Sequence, residues 1–137
     1  MAQSIYPVLM TDRLQESSLF YKTYLGFAQN FSSDWYINLS HPDGGELALI
    51  DVTHESIPAL YRANANGILV NLEVANATQV YDFIKNKDER IIVAHLADEV
   101  WGWRHFIIKD PNNVLIDIIE VLPPSAEFLN NDSSGVL

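Results

Sequence analysis

No cysteine occurs among the 137 residues. That removes both a disulfide framework and a thiol nucleophile. Basic residues are scarce too. Eight lysines and arginines stand against 18 aspartates and glutamates, for a formal net charge of -10. A protein that grips a phosphate backbone needs a basic stripe, so no nucleic-acid partner is expected. The same imbalance suits a cationic ligand drawn in by the summed field, and it also suits simple solubility. No apolar run is long enough to span a bilayer, so no membrane association is expected. The first residues lack the basic-then-apolar order of a secretory signal, and a cytoplasmic protein is the expectation. His-Glu-x-x-His, a glycine-rich phosphate loop and a nucleophile elbow are absent as well. What remains is a chain of one-domain length that is 48% hydrophobic, enough for a real core.

Two stretches of the chain present the same order of elements. The expected fold class is therefore α+β, with two βαβββ modules in tandem over residues 4–52 and 67–122, a linker over 53–66 and a C-terminal tail over 123–137. In the first module Ile5 to Met10 reads as a strand. Asp12 reads as a helix N-cap, with Gln15 completing a capping box. Leu14, Leu19, Phe20, Tyr24 and Leu25 mark the apolar helix positions, and Gly26 ends the helix. Strands follow around Phe27 to Phe31, Asp34 to Ser40 and Glu46 to Val52, the last two joined by Pro42-Asp43-Gly44-Gly45. In the second module Ile68 to Val74 is a strand. Asn76 caps a helix whose inner face is Val80, Phe83 and Ile84, and strands follow at Ile91 to His95, Trp103 to Lys109 and Val114 to Val121. The tail has Pro-Pro and then Asn-Asn-Asp-Ser-Ser-Gly; it cannot continue a strand and is expected to be mobile at its end.

The most informative stretch is Trp101 to Glu120. It reads as two apolar strands around an Asp110-Pro111-Asn112-Asn113 turn, in which Pro111 presets φ and Asn113 tolerates the left-handed conformation. An aromatic-rich strand, Asp-Pro-x-Gly/Asn, and a strand carrying an acidic residue resemble the closing pattern of the vicinal oxygen chelate superfamily. That superfamily holds the glyoxalases, bleomycin-resistance proteins and extradiol dioxygenases. Leu19-Phe20-Tyr21-Lys22-x-x-Leu25-Gly26-Phe27 is similar to its other signature. Together these cover about residues 5 to 122. The resemblance implies strands curled around a cavity in each module. It also implies metal ligands, in the metal enzymes of the family, at positions that here are Tyr6, Asp51, Leu69 and Asp117. Leucine cannot coordinate and tyrosine replaces histidine poorly, so no metal ligand and no cofactor is assigned, with a divalent metal as the alternative.

Asp51 and Asp117 each follow an isoleucine in an apolar strand, and a buried carboxylate needs a partner or a ligand. If the turn is a type I turn with a bulge, Ile107 faces Asp117 and His105 lies on the same face, opposite Ile119. Arg104 then lies on the other face, opposite Glu120, where a cross-strand ion pair is natural. Trp101 lies in the loop just before this strand and suits stacking on a planar cation or packing at an edge, Trp103 opens the strand, and Trp35, two or three residues from the centre of its strand, suits the lining of the first module's cavity. The expected ligand-binding residues are thus Trp35, Asp51, Trp101, Trp103, His105 and Asp117. No catalytic residue is assigned. His54, three residues past Asp51, is the one imidazole near a family ligand position, beyond the expected strand.

The resemblance, with the missing ligands and the acidic charge, favours a metal-free binder of a small, planar or cationic molecule, akin to the bleomycin-resistance branch. A metal-dependent lyase, isomerase or dioxygenase of the same superfamily is the alternative. A third reading is an interaction module whose cavity is filled by its own side chains. A homodimer is expected in each case, with exposed strand edges that favour pairing.

Overall fold

A computed structural model of the chain describes residues 2–131. Strands β1 (Val8–Thr11), β2 (Ala28–Ser32), β3 (Tyr36–Ser40) and β4 (Glu46–Asp51) form one sheet in the order β1-β4-β3-β2. Strands β5 (Leu69–Glu73), β6 (Ile92–Glu99), β7 (Trp103–Lys109) and β8 (Leu115–Val121) form a second in the order β5-β8-β7-β6. In each sheet the first strand runs parallel to the last and the remaining pairs are antiparallel. A parallel pair needs a crossover. Helices α1 (Leu14–Leu25) and α2 (Ala77–Asp88) supply it, so the tandem βαβββ, α+β order read from the sequence is the order of the fold. The chain divides into two units. One reaches to Ile68 and includes Asp110–Val114; the other comprises Leu69–Lys109 and the chain from Leu115 onward.

In the first unit the alternation of strand side chains sends one row of each strand toward α1. Leu9, Ile37, Leu39, Leu47 and Leu49 are buried in that row, against Leu14, Phe20, Tyr21 and Leu25 of the helix. Each such side chain contributes about 1.5–3 kcal/mol by leaving water. The opposite, helix-free row holds Val8 on β1, Tyr36, Asn38 and Ser40 on β3, and Glu46, Ala48 and Ile50 on β4. Gly26 closes α1 at φ 72°, in the left-handed region, with its N–H bonded to Tyr21 O. The helix begins differently from the expectation. Arg13 occupies the N-cap without a side-chain bond, and Thr11 Oγ1 accepts the Arg13 N–H at 2.9 Å. Asp12 instead lies 3.9 Å from the Arg13 guanidinium. Leu19 is exposed, because the buried face holds positions 14, 17, 18, 20, 21 and 25.

Asp110 organises a turn that also belongs to this unit. Its Oδ1 accepts the N–H of Asn112 at 2.7 Å and of Val114 at 2.9 Å, and its Oδ2 accepts the Tyr21 hydroxyl at 2.8 Å. Asn113 takes φ 64°, the left-handed conformation that the turn sequence requires. Beside it, Thr11 Oγ1 donates to Asn112 Oδ1 at 2.7 Å, and Asn112 Nδ2 donates to Ser17 Oγ at 2.9 Å.

In the second unit Phe106, Ile108, Ile116 and Ile118 face α2 with Ala77 and Ile84. Asn76 caps α2 as expected, accepting the Gln79 N–H at 3.0 Å. Phe83 is exposed rather than inward; Tyr81 takes the inner place, edge-on to Phe106. Strand β6 runs on to Glu99, beyond the expected end at His95. Helix α3 (Ala126–Asn131) occupies part of the expected tail, and the expected mobile end lies in 132–137, outside the described residues. Among the described residues no helix is long and apolar enough to cross a membrane.

The hairpin register is the one the turn implies: Ile107 pairs with Asp117, His105 with Ile119 and Arg104 with Glu120. The expected Arg104–Glu120 ion pair is replaced by another. Arg104 donates twice to Asp98 on β6, at 2.7 and 2.9 Å, while Glu120 accepts the Ala77 N–H at the start of α2. The bonds from Arg104, reinforced by its charge and opposed by some desolvation, hold the Asp98 carboxyl below its usual range. The pair's contribution is therefore complete above about pH 4, where an unfolded aspartate ionises, and is lost as pH falls through the lower folded value. Acid unfolding followed by circular dichroism is expected to show a flatter acid limb in Arg104→Gln; superimposable limbs would refute the linkage.

Candidate functional site

The helix-free row of the second sheet gathers three of the six residues singled out from the sequence, Trp103, His105 and Asp117. His105 on β7 and Asp117 on the neighbouring β8 lie on this row, one pair apart in register. The His105 Nδ1–H donates to Asp117 Oδ1 at 2.8 Å, and Nε2 lies 3.8 Å from Glu99 Oε2 on β6. Each ring nitrogen thus faces a carboxylate. Burial grades across the three, from an Asp117 side chain 8% exposed to a Glu99 side chain 32% exposed. Trp103 shares the row, since it pairs with Glu99 on one side and Val121 on the other.

Three rings complete the site. Trp101, Trp103 and His105 stand in mutual edge-to-face contact, with centroids 6.1 Å apart for the tryptophans and 6.4 and 5.7 Å from each to the imidazole. Trp101 belongs to the turn between β6 and β7, which the Gly102 N–H closes onto Glu99 O at 3.0 Å. Chemically the arrangement has two capacities. An oriented imidazole backed by a carboxylate can accept a proton at its far nitrogen. An aromatic face with a partly exposed carboxylate can hold a cation.

Trp35 and Asp51 come together elsewhere, in the first unit. The Asp51 N–H bonds to Trp35 O at 2.8 Å, which prolongs the β3–β4 ladder. Asp51 is paired with Thr11 on β1 and so falls in the row that faces α1. Its Oδ1 accepts the Thr53 hydroxyl at 2.7 Å and the Thr53 N–H at 2.8 Å. These bonds hold its carboxyl below the usual range, with the nearby His54 adding in the same sense and desolvation opposing. Trp35 stacks flat on His54, with centroids 3.7 Å apart and planes 9° apart. Together with Asp34, Thr53 and Glu55 these residues line an open depression of about 460 Å³.

Register corrects the expected correspondence of Asp51 with Asp117. Lys109 pairs with Leu115 next to one turn, and Asp117 is two residues on. Ser40 pairs with Glu46 next to the other turn, and two residues on is Ala48. Ala48 is level with Val8 on β1, and Asp117 is level with Asn71 on β5. Asp51 is an odd number of residues beyond Ala48 and therefore points to the opposite side. Tyr6 lies ahead of β1, and Leu69 is level with Leu115 rather than Asp117.

In the first unit Val8 and Ala48 are level on the first and last strands, and neither has a donor. In the second unit Asn71 and Asp117 are level, and Asp117 already accepts from His105. Neither pair supplies the roughly three protein ligands of a catalytic metal site. Among the described residues no three His, Cys, Asp or Glu side chains are grouped so that they could hold an ion.

Two residues take places that the sequence reading does not give them. Glu99 joins the site because β6 extends past Ala97, which pairs with His105. Alternation alone then places Glu99 on the same row, so a longer strand assignment would have found it. His54 reaches Trp35 through the turn after β4, for which the sequence offers no periodic signal.

No protein-family model matches the sequence, and no curated protein does. Solved structures do match. A glyoxalase/bleomycin resistance protein/dioxygenase family enzyme from Burkholderia phytofirmans PsJN is similar at 18% identity and TM-score 0.71, over 85% of this chain and 97% of the other. A glyoxalase/bleomycin resistance protein/dioxygenase from Nocardioides is similar at 22% identity and TM-score 0.67, over 89% and 85%. TioX from Micromonospora sp. ML1 is similar at 16% identity and TM-score 0.68, over 88% of this chain and all of the other. At such identities the chain shares their fold: that of the glyoxalase/bleomycin resistance/dioxygenase proteins.

Proposed function

We propose that the helix-free face of the second sheet binds a small, planar, cationic molecule without a metal. The observation that carries this reading is the Asp117–His105–Glu99 line set among the rings of Trp101 and Trp103. The tryptophans supply aromatic surface for stacking, and the partly exposed Glu99 supplies the counter-charge. Asp117 fixes the imidazole that separates them, and hydrogen bonding there orients the ligand. The acidic balance of the chain adds long-range attraction for a cation. The shared fold with proteins described by bleomycin resistance supports the class of function, and the lack of fitting metal ligands supports binding over metal-assisted turnover.

Titration with ethidium, a planar aromatic cation, tests it, with neutral phenanthridine as the uncharged comparison. Ethidium is expected to bind and phenanthridine to bind more weakly. Trp101→Ala is expected to weaken ethidium about tenfold, in line with one lost stacking and cation–π contact. Equal affinity of Trp101→Ala and wild type would sink the assignment of this face. Elemental analysis of protein purified without chelator is expected to find no stoichiometric metal, before or after incubation with divalent ions.

A further inference from the structure

We infer that the backbone segment Leu122–Ser125 is a strap that positions the Trp101 wall of this site. The inference rests on the binding face proposed above, but its geometry stands by itself. Trp101 lies in a four-residue turn from Glu99 to Gly102, closed by the Gly102 N–H on Glu99 O. Its backbone is held from outside at two points. Gly102 O accepts the Leu122 N–H at 2.6 Å, and Val100 O accepts the Ser125 N–H at 2.9 Å. The two acceptors flank Trp101 in sequence, so the strap grips the chain on both sides of it. The contact is also close. A Cβ on residue 102 would stand 2.5 Å from Leu122 O, 3.1 Å from Pro124 N and 3.3 Å from Pro123 C, all of them backbone atoms. Gly102 further adopts φ +104°, which an L side chain rarely takes. Glycine is required at 102 both for the turn and for the approach of the strap. Pro123 and Pro124 stiffen the strap between its two donors, so the tryptophan is held by a rigid clamp rather than by a loop free to refold around each ligand.

The strap residues touch no proposed ligand atom; they are positioning residues that act through Trp101. Two variants of the full chain separate this role from general strain. Gly102→Ala closes the contact. Gly67→Ala imposes positive-φ strain at +69° with open space around the added carbon. The readouts are amide hydrogen exchange in wild type, the Trp101 indole N–H resonance, and ethidium affinity. Wild-type Leu122 and Ser125 amides are expected to exchange about 100-fold slower than unstructured chain. Gly102→Ala is expected to shift the Trp101 indole resonance and weaken ethidium about tenfold. Gly67→Ala is expected to leave both as in wild type. Unprotected Leu122 and Ser125 amides overturn the strap, and so does a folded Gly102→Ala whose Trp101 resonance has not moved. Should Gly102→Ala not fold, the wild-type exchange decides. A wild type indifferent to ethidium overturns the binding reading, while exchange and the indole resonance still decide the strap.

Discussion

Asp110→Ala is expected to destabilise the first unit by about 4 kcal/mol, more than any other single polar change there. The carboxylate is 3% exposed and accepts three hydrogen bonds, from Tyr21, Asn112 and Val114. Hydrogen bonds to a charged group contribute about 1.5–3 kcal/mol each, and their sum is reduced because the turn partly relaxes. Alanine leaves the Tyr21 hydroxyl, on a fully buried side chain, with no acceptor. It also frees the turn whose Asn113 must stay at positive φ. Tyr21→Phe removes one bond and should cost about 2 kcal/mol. Urea unfolding of both variants measures the difference, and an Asp110→Ala protein within about 1 kcal/mol of wild type would discard the account. Burial, then the charge of Asp110 and the bond to it, push the Tyr21 phenol far above its usual range. The stability from keeping it protonated is complete below about pH 10, where an unfolded tyrosine ionises, and is lost as pH rises further.

Asp117→Ala is expected to reduce ethidium affinity about 30-fold, equivalent to about 2 kcal/mol. The loss has two parts: a carboxylate leaves the binding face, and His105 loses the acceptor that fixes its ring. Asp117→Asn keeps the shape and an acceptor, so it should lose less. The histidine effect has its own signature. Nitrogen resonances of His105 should report a single dominant tautomer in wild type and a mixture in Asp117→Ala. Unchanged affinity together with an unchanged tautomer would remove Asp117 from the site.

The sequence carried the fold well where a physical rule is local. Asp-Pro-Asn-Asn specifies its turn, and the turn sets the register that places His105 and Asp117 on one row. Asn76 starts α2 and Gly26 ends α1 for reasons contained in a few residues. It failed where the answer depends on counting from the right origin. Ile50-Asp51 and Ile116-Asp117 look alike, but pleating has period two, and only the distance from the turn shows that Ala48 is the counterpart. Leu19 and Phe83 look like core residues until the helices dock, and docking is a tertiary event. Of the candidate site, His105, Asp117, Trp101 and Trp103 were readable as a group because they share a hairpin and its flank. Trp35 and Asp51 join a different set of residues, and Glu99 emerged only with the full length of β6.

The first unit is not continuous in sequence, since Asp110–Val114 belongs to it. Tyr21 and its acceptor are 89 residues apart, and Thr11 and Asn112 are 101 apart. During synthesis from the N-terminus, the strands and helix up to residue 68 emerge well before the turn that satisfies their buried hydroxyls. That unit therefore waits, incompletely bonded, until Val114 has left the ribosome, whereas Leu69–Lys109 have no such early start. Completion is late for both, and until then the unfinished chain keeps apolar surface open to association.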